Sequence, residues 1–418
     1  MMRRRDLLLT TGTAALGLAI SSRGARSQNP AQAPQVLEAH LLRAVDQTPI
    51  MGLSVCAFEG ETVIYANAFG WADQQADRRR AVTSINNIGS VSKLFTATAF
   101  MQLVERGQAQ LDADINTYLP FRVRHPGFPD VAITPRHILA HVSAMADGPW
   151  YGRNYACGDP TIPLEDWVPA MLTPAGRFWA DGANFHPWRP ERRFAYANLP
   201  WAALALIVQR IAGKPFVDVC RERIWSPLGM TRTSWFLSDL PREEMARPYT
   251  LYQDGVPWEV PWSDEPLIDE RRDRSQPPPR DGFLPHCYYS FPNYPDGALR
   301  TSADQLARFV MAAAHGGTHR GARVLEEATQ QAMLTPQFPA ALWTVDRDSR
   351  AQGLAWRRPW LASGEEYWGH HGADPGISTV VAFRKRDRRG IVLMANSSRV
   401  HHALDGIAWH FLDGSEMA

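Results

Sequence analysis

Ser90 and Lys93, within the stretch NIGSVSKLF at residues 87–95, are a hydroxyl and an amine three residues apart. At that spacing two side chains share one face of a helix, so the serine oxygen and the lysine nitrogen can meet. A serine near a helix N-terminus is favoured as negative charge develops on its oxygen. A lysine one turn further on, in apolar surroundings, loses the hydration that favours its ammonium form. The pair reads as a nucleophile with its activating base. Composition sharpens this: the chain carries 44 Lys plus Arg, yet lysine occurs only at positions 93, 214 and 385. Arginine stays protonated throughout the accessible pH range and cannot serve as a base. Of the three lysines only Lys93 follows a serine at this spacing, and Lys214 and Lys385 read as solvated surface charges. The plainer alternative for the pair is a helix-capping serine followed by a surface lysine.

Two further clusters have chemical potential. Tyr196 and Asn198 lie in FAYANLPWAALALIVQRIAG, just before an apolar helix pattern. A tyrosine phenol relays protons when a cation stands beside it, and an asparagine amide can bind a substrate carbonyl or hold the lysine. Taken alone, Tyr196 reads rather as a core aromatic with a satisfied hydroxyl. In WGHHGADPGIST, Gly372 and Gly376 permit close backbone approach to a ligand, and His370 can donate or accept near neutral pH. Neighbours on a strand point to opposite faces, and no Cys or carboxylate is suitably spaced beside His370 and His371. No metal site is expected, and no cofactor.

These residues need elements to hold them. SKLFTATAFMQLVERG is apolar on almost every side and ends at Gly107, as a fully buried helix would. Before it, GLSVCAFEG and TVIYANAFGWA have the pattern of paired strands; near the C-terminus, ISTVVAFRK and GIVLMANSS repeat it, and HHALDGIAWHFL closes as a helix. The middle is helical with long connections. The expected fold class is therefore α/β (α+β), an antiparallel sheet flanked by helices, built from both chain ends around an inserted, mainly helical domain. The expected division is 34–115 with 337–418 for the α/β part and 116–336 for the helical part. A charged, proline-rich loop at 263–282 is expected on the surface, with a lid as the alternative.

Composition narrows the class of function. With 418 residues, 45% hydrophobic and 21% charged, the chain can bury a large core. A formal net charge of +1 provides no electrostatic case for nucleic acid. Residues 1–33 combine a leading run of three arginines, an apolar stretch from Leu7 to Ile20 and a small, polar end, the layout of an export signal. Arg4-Arg5-Asp6-Leu7-Leu8 resembles the twin-arginine pattern, so a periplasmic or secreted location is expected, with cleavage after Ser27 or Ala33. No later stretch is long and apolar enough to span a bilayer, so no stable membrane association is expected after signal removal. Cys56 and Cys220 sit in apolar runs and suit small buried hydrophobes, whereas Cys157 and Cys287 lie in loop-like segments where they could pair. Sequence alone leaves that pairing and the oligomeric state open.

Taken together and in this order, Ser-x-x-Lys, Tyr-x-Asn and His-x-Gly resemble the serine β-lactamase and penicillin-binding-protein superfamily, most closely its class C-like branch. The likeness extends from about Val36 to Phe411, through LVERGQAQLDADINTYLP, ITPRHILAHVSAMADG, IWSPLGMTRTSW and PDGALRTSADQLARF. Ala144 departs from the pattern, since relatives commonly have glycine there. The resemblance implies Ser90 as nucleophile, Lys93 as its base and Tyr196 as proton relay to the leaving group. It implies that Asn198 contacts the acyl side chain or Lys93, and that His370 stands where lactamases and carboxypeptidases usually have lysine, with His371 and Gly372 completing the motif. The oxyanion hole would be the backbone N–H groups of Ser90 and Ala373.

Superfamily members cleave esters, amides or lactams through an acyl-enzyme, and neither fold nor nucleophile separates them. Histidine at position 370 removes a cation that would recognise a substrate carboxylate, which favours uncharged small-molecule esters or amides. Trp150, Tyr151, Trp179 and Trp188 are candidates for the wall of an acyl pocket; packing of the helical domain is the alternative for each. The expected function is an exported, carboxylesterase-like serine hydrolase. The alternatives are a β-lactamase or D-alanyl-D-alanine carboxypeptidase/D-aminopeptidase and, from another class, a non-catalytic ligand-sensing homologue.

Overall fold

The computed structural model describes residues 33–253, 256–257, 282–338, 351–357 and 365–413. The expected export signal and the 263–282 loop lie outside the described residues, apart from Ala33 and Gly282.

Three strands from the N-terminal part and three from the C-terminal part form one antiparallel sheet. They are β1 (Gly52–Glu59), β2 (Thr62–Asp73), β3 (Arg78–Arg79), β4 (Tyr367–Asp374), β5 (Ile377–Arg384) and β6 (Arg389–Ala395). Their spatial order is β4-β5-β6-β1-β2-β3, with β1 in register against β6 from Leu53↔Ala395 to Glu59↔Arg389. The two ends of the chain therefore meet at the middle of the sheet.

The side-chain alternation of β1 explains why the sheet is covered on both faces. Leu53, Val55 and Ala57 point to one side, where they pack with Leu37 and Leu41 of helix α1 (Ala33–Gln47) and with Leu404 and Ile407 of the C-terminal helix His401–Asp413. Cys56 and Phe58 point to the other, into the larger core. At the centre of that core lies α2 (Ser92–Glu105), in which every residue from Ser92 to Leu103 is buried. A helix that is apolar on all sides has no solvent face to present, so it becomes the axis around which the rest packs. Helix α3 (Pro200–Ala212) packs against it, with Pro200 in its first turn and Gly213 at φ +67° ending it.

Cys157, in the two-residue strand Ala156–Cys157 that pairs with Tyr289–Ser290, forms a disulfide with Cys287, and Cys56 and Cys220 are buried thiols. Among the described residues no helix is long and apolar enough to cross a membrane.

The backbone also accounts for the departure at Ala144, which holds φ +59°. In this left-handed region a Cβ costs roughly 1–2 kcal/mol, whereas glycine adopts it freely at an entropic cost of about 0.5–1 kcal/mol. Ala144→Gly is therefore expected to leave stability unchanged or raise it by up to about 1 kcal/mol. Denaturant titration of the two proteins checks this. A loss larger than about 1 kcal/mol would mean that the buried methyl group contributes more packing than the turn costs in strain.

Candidate active site

Ser90 does not open the helix itself. It occupies a 3₁₀ turn, Gly89–Val91, that leads into α2 at Ser92. The reason is the close approach of this turn to β4. Gly89 has φ +52°, and a Cβ there would stand 2.7 Å from the backbone nitrogen of Ala373. A Cβ on Gly372 would overlap the carbonyl oxygen of Ile88. Only glycine at both positions lets the serine turn and the strand touch through their backbones. Polar clamps hold the turn. Asn87 Oδ1 accepts from the Gly89 N–H at 2.8 Å, and the Ser92 hydroxyl donates to Gly89 O at 2.6 Å while accepting from the Leu299 N–H at 3.0 Å.

Lys93 is fully buried, and its Nζ lies 2.9 Å from Ser90 Oγ, 2.7 Å from Asn198 Oδ1 and 2.9 Å from the Asp296 carbonyl oxygen. Ser90 is half-buried, and its oxygen lies against the ammonium of the fully buried lysine. The Tyr196 ring lies 5.1 Å from Nζ and stacks on His141 at 4.3 Å between centroids. Ser90, Lys93, Tyr196 and Asn198, more than a hundred residues apart at the extremes, converge on one point.

The surroundings of Lys93 are not apolar, and this corrects the expectation drawn from the helix pattern. Asp296 Oδ2 stands 3.4 Å from Nζ and Asp147 lies nearby. Burial pushes Lys93 down, but Tyr196, Asp296 and Asp147 more than offset it and hold the ammonium above the ordinary lysine range. Asp147 accepts from the N–H groups of Asn198 at 2.6 Å and Leu199 at 2.9 Å, at the start of α3, and from Asn198 Nδ2 at 2.8 Å. A carboxylate is well placed among the unpaired N–H groups of a helix N-terminus. One amide thus joins the lysine to Asp147.

On β4, His370 and His371 point to opposite faces. His370 is buried, its Nδ1 lies 2.6 Å from His371 O, its Nε2 has no hydrogen-bond partner, and its ring lies 6.4 Å from that of Tyr196. Burial, then Arg357 and Lys93, push its pKa well below the usual histidine value, so the imidazole is neutral at physiological pH. His371 turns away to Asp405 at 2.7 Å. His401 Nε2 lies 2.8 Å from Gly372 O, the carbonyl of the peptide unit that carries the Ala373 N–H.

A cation does stand near His370, although not at position 370. Arg357 pairs with Gly369 through both backbone bonds, N–H to O at 3.0 Å and 2.9 Å, and thereby extends the sheet beside β4. Its guanidinium carbon lies 5.9 Å from the Tyr196 ring centroid. The inference that histidine leaves this region without a fixed positive charge is therefore corrected.

Of the aromatic candidates, Tyr151 reaches the buried network, donating to Asp296 Oδ2 at 2.8 Å. Trp150 and Trp179 pack on the helical core, 5.4 Å from Phe178 and 5.7 Å from Phe185, and Trp188 stacks on His186 at 4.3 Å. Among the described residues no group of three or more His, Cys, Asp or Glu could hold a metal ion. Sequence reasoning missed Asp147, Asp296, Arg357 and His401. Asp147 and Asp296 each precede a glycine, as turn residues do, and none of the four has a spacing signal that links it to Lys93 or His370.

The family model described as Beta-lactamase matches residues 37–410. Penicillin-binding protein 4* of Bacillus subtilis (strain 168) is 23% identical over 365 residues, covering 86% of this chain and 72% of that protein. Esterase EstB of Burkholderia gladioli is 28% identical over 294 residues, covering 65% of this chain and 68% of the esterase. Among solved structures, EstCE1, a hydrolase with promiscuous acyltransferase activity, superimposes with a TM-score of 0.66 at 18% identity, covering 92% of this chain and 96% of that one.

Proposed function

The chain belongs to the beta-lactamase family and is a serine hydrolase, and from that premise we propose that it cleaves esters or amides through an acyl-enzyme on Ser90. The observation that carries this is the 2.9 Å contact between the oxygen of a half-buried serine and a fully buried lysine. Ser90 Oγ attacks the substrate carbonyl and its proton passes to the Lys93 side. The N–H groups of Ser90 and Ala373 receive the developing oxyanion, because the Gly89 turn and Gly372 bring these two backbones together. Tyr196, beside Lys93, returns a proton to the leaving oxygen or nitrogen, and water then releases the acyl group. Asn198 holds Lys93 against Ser90, and His370 faces the same space as a neutral hydrogen-bonding group. The likeness to esterase EstB supports the ester reading. Export of the protein through its arginine-led N-terminus, to a periplasmic or extracellular site, is part of this proposal.

A second reading, hydrolysis of a carboxylate-bearing lactam or D-alanyl peptide, is favoured by Arg357 beside Tyr196 and by the relative penicillin-binding protein 4*. A paired assay on purified protein separates the two, comparing short and aromatic nitrophenyl esters with a chromogenic cephalosporin, with Ser90→Ala as control. Ester cleavage that disappears in Ser90→Ala, with little lactam turnover, supports the first reading. Predominant lactam turnover would replace it with the second, and ester cleavage that survives Ser90→Ala would refute both.

A further inference from the structure

Lys93 must lose a proton before it can accept one from Ser90, and the site contains a buried carboxylate in contact with it that the proposed mechanism leaves unused. The Lys93 ammonium has three protons and four acceptors around it: Ser90 Oγ, Asn198 Oδ1, the Asp296 carbonyl and Asp296 Oδ2. Three of these are neutral oxygens with no use for a further proton near neutral pH. Asp296 Oδ2 is, among the described residues, the one carboxylate oxygen within ion-pair distance of Nζ.

We propose that Asp296 is the positioning residue that receives the Lys93 proton during acylation of Ser90 and returns it during breakdown of the intermediate. The inference rests on the serine-hydrolase reading above. In the first step, a proton moves from Lys93 Nζ to Asp296 Oδ2, the Ser90 hydroxyl proton moves to Nζ, and Oγ bonds to the acyl carbon as the carbonyl π pair moves to its oxygen, forming the tetrahedral oxyanion. In the second, the bond to the leaving group breaks. The leaving oxygen or nitrogen takes its proton through Tyr196 or Lys93, and Asp296 gives its proton back. Protons and electron pairs balance without another reactant.

Three features fit Asp296 to this task. Its side chain is 3% exposed, so no bulk water competes for the proton. Its ionised form is held by Tyr151 O–H at Oδ2, 2.8 Å, and by Asn293 Nδ2 at Oδ1, 2.9 Å. It lies on the turn Tyr294–Asp296, whose Pro295 carbonyl accepts from Thr96 of α2 at 2.7 Å, which fixes the carboxylate relative to the helix that carries Lys93. The ionisable groups that face Asp296 are Lys93 from α2, Tyr151 from the short helix Gly148–Tyr151, and Asp147 at the end of the preceding loop. Burial, with Asp147 adding to it, outweighs Lys93 and the two hydrogen bonds and raises Asp296 to about 6. On the Lys93 side the neighbouring Tyr196, Asp296 and Asp147 outweigh burial and hold the ammonium up, so it is the raised Asp296 that brings the two groups nearer in proton affinity.

A pH dependence follows. Asp296 accepts a proton only when ionised, so kcat/KM should fall as pH drops through about 6. His141 and His370 are both held well below the usual histidine value, so a limb at that position is not theirs. The test is the pH profile of ester hydrolysis for wild type, Asp296→Asn and Tyr151→Phe, with acyl product measured by chromatography so that the readout does not depend on pH. Asp296→Asn is expected to lower kcat about a hundredfold with little change in KM, and to lose the limb. Tyr151→Phe removes a bond that favours the ionised form, so its limb should move to higher pH. This second variant keeps the test decisive if Asp296→Asn fails to fold, since a purely structural role would lower the rate without moving the limb. A limb unmoved in Tyr151→Phe, or an Asp296→Asn protein with near wild-type kcat and an unchanged profile, would overturn the inference while Ser90-dependent hydrolysis kept the parent reading intact. Hydrolysis that does not depend on Ser90 would overturn both.

Discussion

Ser90→Ala is expected to lower kcat/KM for an activated ester by roughly 10⁴- to 10⁶-fold while leaving the fold and substrate binding in place. The substitution removes one oxygen from a partly exposed turn, so no cavity opens in the core. That oxygen accepts a hydrogen bond from Lys93, but Asn198 Oδ1 and both Asp296 oxygens remain as partners for the ammonium, so no buried charge is stranded. Catalysis should fall much further than stability. The residual rate would come from the paired N–H groups and from binding, which survive loss of the nucleophile. Steady-state kinetics alongside thermal unfolding measures both, and a drop of less than about tenfold with an unchanged melting temperature would place the nucleophile elsewhere.

Lys93→Arg is the second large effect, and it separates charge from chemistry. Arginine keeps a positive charge opposite Asp296 and Asp147, so the electrostatic balance of the pocket is retained. It places a planar fork where a single nitrogen now bridges Ser90 Oγ and Asn198 Oδ1, and it cannot pass a proton on. A loss of about 10³-fold or more in kcat is expected, about 4 kcal/mol of transition-state stabilisation. Lys93 is fully buried, so the larger side chain also costs packing, typically about 1–3 kcal/mol. Lys93→Met is the companion that keeps the volume and removes the charge. Asp296, already raised to about 6, should then take up a proton rather than stay charged and unpaired. The sign follows from this. A carboxyl whose folded pKa is raised above its unfolded value adds stability at low pH that is lost as pH rises through the folded value. Lys93→Met should therefore be less stable relative to wild type at alkaline pH than at mildly acidic pH. A folded Lys93→Arg enzyme with undiminished kcat would contradict the base assignment.

Much of the architecture is legible in the amino-acid sequence because its signals are local or periodic. β1 and β6 alternate towards two buried faces, and α2 lacks a polar face, so an antiparallel sheet covered by helices and built from both chain ends followed from pattern alone. Ser90 and Lys93 were legible for the same reason: they are three positions apart, and one helical turn makes that a contact. What escaped the reading depends on long-range register. Asp296 meets Lys93 across 203 positions, and Arg357 reaches Tyr196 only because its backbone pairs with Gly369. The charge environment of Lys93 was misjudged for this reason. An apolar helix implied an apolar pocket, whereas Asp296 and Asp147 enter it from other segments. The turn holding Ser90 differed from the expected helix start because the backbone of β4 occupies the space beside Gly89.

The most direct test of the account is the mass of the protein during turnover of an ester whose acyl group is released slowly. We expect the chain to gain the mass of the acyl group, less one proton, on the peptide that contains Ser90, and Ser90→Ala to gain none. Turnover without an adduct, or an adduct on another residue that forms and decays at the catalytic rate, would contradict a Ser90 acyl-enzyme.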